Sequence, residues 1–225
     1  MSREPIVICI DGPAGSGKST VAHKIANKLG FIHLNSGALF RAIVLEAVNQ
    51  GISLEDEERI VQLAEKLNFS FELSARGETL FLVDGREPSR ELYSSETGLL
   101  ASAVAVLPKL RKFLLQAQRD IAAQSSIVVE GRDAGTVVFP EASFKFYLDA
   151  TLEERANRRF AQLQQSKSQV DRESIRDDLL KRDRRDETRA IAPQVAAEDA
   201  IRIDTSDLNI SQVVEVILDV IRQVK

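Results

Sequence analysis

Only one cysteine, Cys9, occurs in 225 residues, so no disulfide can form within the chain. A lone thiol inside Ile6-Val7-Ile8-Cys9-Ile10 fits a reducing compartment and a small buried apolar position. No apolar run approaches the roughly 20 residues that a membrane-spanning helix needs. Met1-Ser2-Arg3-Glu4-Pro5 leads straight into a strand-like run, with no small-residue cleavage site after an apolar stretch, so no signal peptide is expected. A basic excess is missing too. The net charge is −4, which argues against broad binding to duplex nucleic acid. Internal repeats and low-complexity tracts are absent. What remains, 44% hydrophobic and 28% charged residues, is the composition of a soluble globular protein long enough to bury a substantial core. A cytoplasmic chain without membrane contact is expected. A monomer is the default, since no exposed apolar stripe is evident.

The pattern along the chain predicts an α/β fold. Ile6 to Asp11 is apolar until its last residue, as in a parallel strand buried on both faces. A Gly-rich turn follows, then a helix over Lys18–Leu29 closed by Gly30, a strand over 31–34 and a helix over 38–49. Ser53 is the expected cap of the next helix. Phe69–Leu73 and Thr79–Val83 read as strands around Arg76-Gly77. Helices are expected over 95–106 and 108–123, with Pro108 in the tolerated first turn. Strands follow over 127–131 and 144–148. Thr151 and Glu154 have capping-box spacing ahead of a helix, and a polar break at 165–169 separates it from a charged helix running to about Arg189. A last strand and helix occupy 200–203 and 210–224. Strand–helix alternation predicts a parallel sheet flanked by helices, with insertions at 52–105 and 151–195.

Gly12-Pro13-Ala14-Gly15-Ser16-Gly17-Lys18-Ser19 matches G-x-x-x-x-G-K-[ST], between a buried strand and a helix. Such a loop turns backbone N–H groups onto an anion, and the helix start adds partial positive charge. Lys18 supplies a point charge to the β- and γ-phosphates, and Ser19 offers its hydroxyl to Mg²⁺. Guanine is not the base expected here. Asn27-Lys28-Leu29-Gly30 lacks the aspartate of a guanine-reading N-K-x-D segment, and no LSGGQ-like signature points to a transporter ATPase. From Arg155 to Arg189 there are nine arginines but only two lysines. Arginine suits planar gripping of phosphate or carboxylate, so the stretch reads as a lid closing over nucleotides.

Three further segments narrow the reading. They are Leu34-Asn35-Ser36-Gly37-Ala38-Leu39-Phe40-Arg41, Glu130-Gly131-Arg132-Asp133-Ala134-Gly135-Thr136-Val137-Val138-Phe139-Pro140, and Arg182-Asp183-Arg184-Arg185-Asp186-Glu187-Thr188-Arg189. With Gly12 to Thr20, in this order and spacing, the chain resembles the bacterial cytidylate kinase family over nearly its whole length. The resemblance implies a P-loop kinase fold with its core at about 1–36, 125–150 and 196–225. It further implies a nucleoside-monophosphate-binding region at about 37–124 and a helical lid at about 151–195. It implies transfer of phosphate from ATP, with Mg²⁺, to CMP or dCMP.

By the same resemblance, Gly12, Pro13, Ala14, Gly15, Ser16, Gly17, Lys18, Ser19 and Thr20 bind ATP. Lys18, Arg132 and Arg189 serve catalysis. Arg41 and Arg132 hold the acceptor phosphate, with Ser36 beside them. Ser102, Arg111 and Asp133 read cytosine, and Arg182, Asp186 and Arg189 lie near sugar and phosphate. Arg155, Arg158 and Arg159 are lid candidates for ATP phosphates. The cytosine reading is chemically sound. An Asp133 carboxylate accepts from the exocyclic amine, and uracil would face it acceptor to acceptor. Phosphoryl transfer to an ionised phosphate needs no general base, so His23 and His33 are expected to be structural or surface residues. Arg172, Arg176 and Arg184 are expected in i,i+4 pairs on a solvated helix. Glu130 and Asp11 compete to support a Mg²⁺-bound water. Position 35 is Asn where the family often has Asp, 40 is Phe where Tyr is common, and 130 is Glu where Asp is usual. Two other readings stay open: a P-loop kinase for another acceptor such as UMP, AMP or shikimate, and a nucleotide-dependent switch without an acceptor.

Overall fold

Alternate residues of the central strands are sealed into two different cores, which is why these strands read as unbroken apolar runs. In the computed structural model of the chain, which describes residues 4–75, 77–165 and 171–223, the elements run in this order: β1 (Val7–Asp11), α1 (Lys18–Leu29), β2 (Ile32–Asn35), α2 (Ser36–Asn49), α3 (Glu57–Ala64), β3 (Phe69–Leu73), β4 (Thr79–Val83), α4 (Ser95–Val104), α5 (Pro108–Gln124), β5 (Ile127–Gly131), β6 (Phe144–Asp149), α6 (Leu152–Gln165), α7 (Arg172–Thr188), β7 (Ile201–Asp204) and α8 (Ile210–Gln223). A short 3-10 turn at Arg90–Tyr93 precedes α4, and a π-helical turn at Ala134–Val138 follows β5.

The main sheet has five strands, all parallel, in the order β2-β5-β1-β6-β7. On one face Cys9, Leu34, Ile127 and Val129 pack with α2, α3 and α5; on the other Ile8, Ile10, Val128 and Phe146 pack with α1 and α8. Each large apolar side chain sealed this way contributes about 1.5–3 kcal/mol. From β1 the chain passes over β5 to reach β2, and later from β5 over β1 to reach β6. Because the strands are parallel, Gly12, Ser36, Arg132 and Ala150 all leave the same edge of the sheet. That edge, at the point where the connections change direction, is where open α/β sheets bind ligands.

Most expected elements are present within two residues, and the differences trace to caps. α2 starts at Ser36 rather than 38 because Asn35 Oδ1 accepts from the Ala38 N–H at 3.0 Å. α3 is capped by Asp56, which accepts from the Arg59 N–H, and not by Ser53, whose hydroxyl accepts from the Glu55 N–H in the turn before. Only half of the expected capping box forms. Thr151 Oγ1 accepts from the Glu154 N–H at 3.3 Å, but the Glu154 carboxylate turns to Arg158. Arg76 between the expected strands, residues 166–170 including most of the polar break, Val224 and Lys225, and Met1 to Arg3 lie outside the described residues. Among the described residues no helix is long and apolar enough to cross a membrane.

The antiparallel pair β3–β4 stands apart from the main sheet. Its phenylalanines stack across the strands, Phe71 on Phe81 at 4.9 Å between ring centres. Thr79 Oγ1 accepts from the His33 N–H at 2.9 Å, so β4 covers part of the open edge of β2.

Candidate active site

The phosphate-gripping loop is shaped by close approach. Gly12 has φ +149°, and a Cβ there would collide with the Leu148 carbonyl oxygen of β6. Gly17 caps α1 at φ +88° with no side-chain hydrogen bond, which leaves first-turn N–H groups of the helix for an anion. Lys18 is buried, and its ammonium donates to the Pro13 carbonyl at 2.9 Å. Burial first, and the Arg132 cation second, hold the Lys18 pKa well below the usual lysine value. The seat is a cradle of donors around a desolvated cation, and a polyphosphate fits it. Ser16 is buried in the same turn, while Ser19 and Thr20 lie on its open side.

The Ser19 hydroxyl donates to Glu130 Oε2 at 2.5 Å. Burial alone would raise the Glu130 carboxyl; His33, Lys18 and the Ser19 hydroxyl hold it below the usual range. A hydroxyl backed by an ionised carboxylate is hard-oxygen chemistry and fits Mg²⁺, which keeps several waters and takes its other ligands from phosphate oxygens. Among the described residues no cluster of three or more His, Cys, Asp or Glu could cage a metal alone. Asp11, the other candidate, joins two segments. Its two oxygens accept from the Ala134 and Gly135 N–H groups at 2.9 and 2.8 Å, tying the end of β1 to the loop after β5. Burial pushes its pKa from 3.8 up to about 6, against the pull of those two N–H groups.

Across the sheet edge the expected acceptor residues from four separate segments meet. Asp133 Oδ2 accepts from Arg111 and its Oδ1 from Arg189 at 3.0 Å. Asp186 is the second centre. Its Oδ1 accepts from the Ser102 hydroxyl at 2.9 Å and its Oδ2 from Arg132 Nε at 3.1 Å, with Arg182 at 3.8 Å and Arg189 at 4.0 Å. Burial would raise the Asp186 carboxyl, but Arg132 and Arg182 foremost hold it below its ordinary value. Ser102 therefore joins the network through Asp186 and not through Asp133. Arg111 also donates to the Ala105 carbonyl and lies over the Phe40 ring, 5.8 Å from its centre.

The cations are crowded. Arg182 is brought down to about 9, by burial and then by Arg132. Arg41 is brought down to about 10, by burial and then by Arg159 and Arg132. Arg41 donates to the carbonyls of Leu92 and Ser94 at 2.9 and 3.1 Å, apart from the Asp186 network. It fits there because position 98 is glycine: a Cβ at Gly98 would stand 2.8 Å from its Nη2. Ser36 donates to the Glu130 carbonyl at 2.7 Å, which pins the start of α2 to the end of β5.

The lid arginines divide by role. Arg155 is a buried strut that donates to the Ala14 carbonyl of the phosphate loop and to Asp183 of α7. Arg158 donates to Glu154 and to Thr205, and Arg159 reaches Ser95 of α4 at 3.1 Å. Arg172 and Arg176 do not make the expected pairs along their own helix. Both reach across to Glu153 of α6, and Arg176 also approaches its neighbour Asp177 at 3.7 Å.

Sequence reasoning missed Gly98, the Arg155–Asp183 strut, and the approach of His33 to Glu130. None leaves a local motif, because each joins residues far apart in the chain.

Comparison with known proteins agrees with this arrangement. The cytidylate kinase family model matches residues 8–223. The cytidylate kinase of Caldanaerobacter subterraneus subsp. tengcongensis is 45% identical over 218 residues, covering 97% of this chain and 95% of its own. That of Vibrio cholerae is 45% identical over 216 residues, 96% and 95% of the two chains. Among solved structures, an uncharacterized protein from Eubacterium ventriosum superposes with a TM-score of 0.50 at 13% identity, over 96% of this chain and 98% of that one; this is a likeness of fold alone. A match along almost the full length, carried by relatives at this identity, settles the family: the chain belongs to the cytidylate kinases.

Proposed function

We propose that the chain transfers the γ-phosphoryl group of ATP to the phosphate of CMP or dCMP, giving CDP or dCDP. The observation that carries the acceptor assignment is the Asp133 carboxylate, fixed between Arg111 and Arg189 on the same sheet edge as the phosphate loop. A carboxylate has about four acceptor sites, so two arginines leave room for the exocyclic amine of cytosine. Uracil offers a carbonyl there. The resulting unpaired acceptor can cost up to about 10⁴-fold in selectivity.

In this reading Gly12 to Thr20 seat ATP, with Lys18 at the β- and γ-phosphates. Ser19 would hold Mg²⁺, with Glu130 accepting from a metal-bound water. The ion supplies neutralisation of phosphate charge. Arg41 and Arg132 hold the acceptor phosphate beside Ser36, and Ser102 and Arg111 complete the base pocket with Asp133. Arg182, Asp186 and Arg189 line the sugar and phosphate. Two anions must approach in line, and the crowded cations offset their mutual repulsion. Residues 37–124 form the acceptor-binding region and 151–195 the lid over a core of the remainder. A monomer is the default for a site complete in its own sequence motifs, and the lone, buried Cys9 thiol supports a cytoplasmic setting.

The test is phosphate transfer from ATP to a panel of monophosphates. CMP and dCMP should turn over, and UMP should fall behind by at least about 10²-fold in kcat/KM. Equal turnover of UMP and CMP contradicts the assignment.

A further inference from the structure

His33 has no role in the reaction as described, yet its ring is directed at the metal seat. In the pairing of β2 with β5, His33 stands opposite Val128 and Asn35 opposite Glu130. Side chains alternate along a strand, so His33, Val128 and Glu130 share one face of the sheet. Val128 belongs to the core under α1, the helix that carries Ser19. There His33 Nε2 lies 3.3 Å from Glu130 Oε1, both atoms are buried, and among the described residues neither has a hydrogen-bond partner elsewhere to compete for it or a well-aligned bond of its own. The other oxygen of the same carboxylate accepts from Ser19. His33 is itself held at its backbone and at its ring. Its backbone N–H donates to Thr79 Oγ1, and its ring meets His23 edge to face, 5.7 Å between centres at 72°. His23 is in turn 3.1 Å from Asn27.

We propose that His33 is a positioning residue for the metal seat: its Nε2–H anchors one oxygen of Glu130 so that the other stays aimed at the Ser19 hydroxyl. Glu130 is long enough to span from β5 to both partners, and an aspartate would be a methylene short of the pair. Without the anchor the carboxylate is free to turn off Ser19, and the geometry offered to the ion is lost. Partners that orient groups around a metal typically matter by about 10- to 100-fold in its affinity. The inference rests on Ser19 as the Mg²⁺ ligand.

The test is calorimetric titration of the intact enzyme with ATP, in excess Mg²⁺ and in EDTA. Wild type should bind ATP more tightly with Mg²⁺. In His33→Leu that gain should shrink by about 10-fold while affinity in EDTA stays within about 2-fold. His33→Gln, whose amide nitrogen takes the place of Nε2, should restore the gain. KM for ATP should rise in the leucine variant with KM for CMP unchanged. In a Glu130→Asp background, where the contact is already out of reach, His33→Leu should add nothing. His33→Asn, too short to reach Glu130, reads out the same way should leucine disturb β2. A Mg²⁺ gain unchanged by loss of the imidazole overturns the proposal, as does a loss of affinity equal in EDTA. No Mg²⁺ gain in wild type would sink the reading of Ser19 itself, and this proposal with it.

Discussion

The two ends of the site are built from different materials. The donor end is mostly backbone: a loop whose glycines permit close approach, a helix start, one lysine and one hydroxyl. The acceptor end is mostly side chain: two carboxylates, Asp133 and Asp186, each shared among arginines brought from α5, the loop after β5 and the end of α7. A backbone cradle can be written in eight consecutive residues and recognises any polyphosphate. A charge network needs long-range folding to assemble, and in the proposed reading it tells one base from another. Donor-end changes should therefore damage turnover with the fold intact, whereas acceptor-end changes should damage fold and selectivity together.

Asp186→Ala tests the second half of that contrast with the largest effect. It strands Arg132 and Arg182 without their carboxylate and leaves the Ser102 hydroxyl unpaired. Breaking one side of a buried ionic network costs about 3–5 kcal/mol. Urea unfolding should show a loss of that size. A change below about 1 kcal/mol would mean that the network is solvated and structurally idle.

Lys18→Ala tests the first half. The lysine is desolvated and bonded only within its own loop, so removing it should leave unfolding nearly unchanged. In the proposed mechanism its charge offsets the negative charge that develops on the leaving β-phosphate, and losing one such donor costs about 10²–10³-fold in kcat. Near-normal turnover would remove Lys18 from the reaction, and a collapse of stability would erase the distinction between the two ends.

Asp11 sits where the two regions join, and it gives a pH signature. The folded carboxyl titrates at about 6 rather than at the usual 3.8 because it is buried. A group whose pKa is raised by folding favours the fold in its protonated form. Its contribution is complete below pH 4 and is lost as the pH rises through 6. Over that span the difference in unfolding free energy between wild type and Asp11→Asn should move against wild type, on the order of 3 kcal/mol for a shift of this size, and then level off. A difference independent of pH between 4 and 7 would show that Asp11 is not buried as described.

How much of this could be read beforehand follows the same division. The phosphate loop and β3, β4 and β5 lie at their expected positions, because a glycine-rich motif and short apolar strands are local signals. α3 is capped by Asp56 and not by the expected Ser53, three residues earlier, whose hydroxyl is taken up by the turn before the helix. Arg172 and Arg176 depart from pairs along their own helix because the acid nearest to each in space, Glu153, belongs to another helix. Of the acceptor network, residues alone suggest an arginine-rich lid and resemblance to a family singles out Asp133 and Asp186; that the two carboxylates are shared among the arginines is visible only in the fold. His33 was unreadable for a sharper reason. Its partner lies 97 positions away, and only the register of β2 on β5 puts the two on one face.

The central claim is that a fixed carboxylate chooses the base, and Asp133→Asn tests it most directly. An amide keeps the shape and can donate to a carbonyl. Measured as the ratio of kcat/KM for CMP to that for UMP, selectivity should fall by about 10²-fold or more, while the affinity for ATP stays as in wild type. An unchanged ratio, or one that holds while ATP binding weakens, would contradict the account.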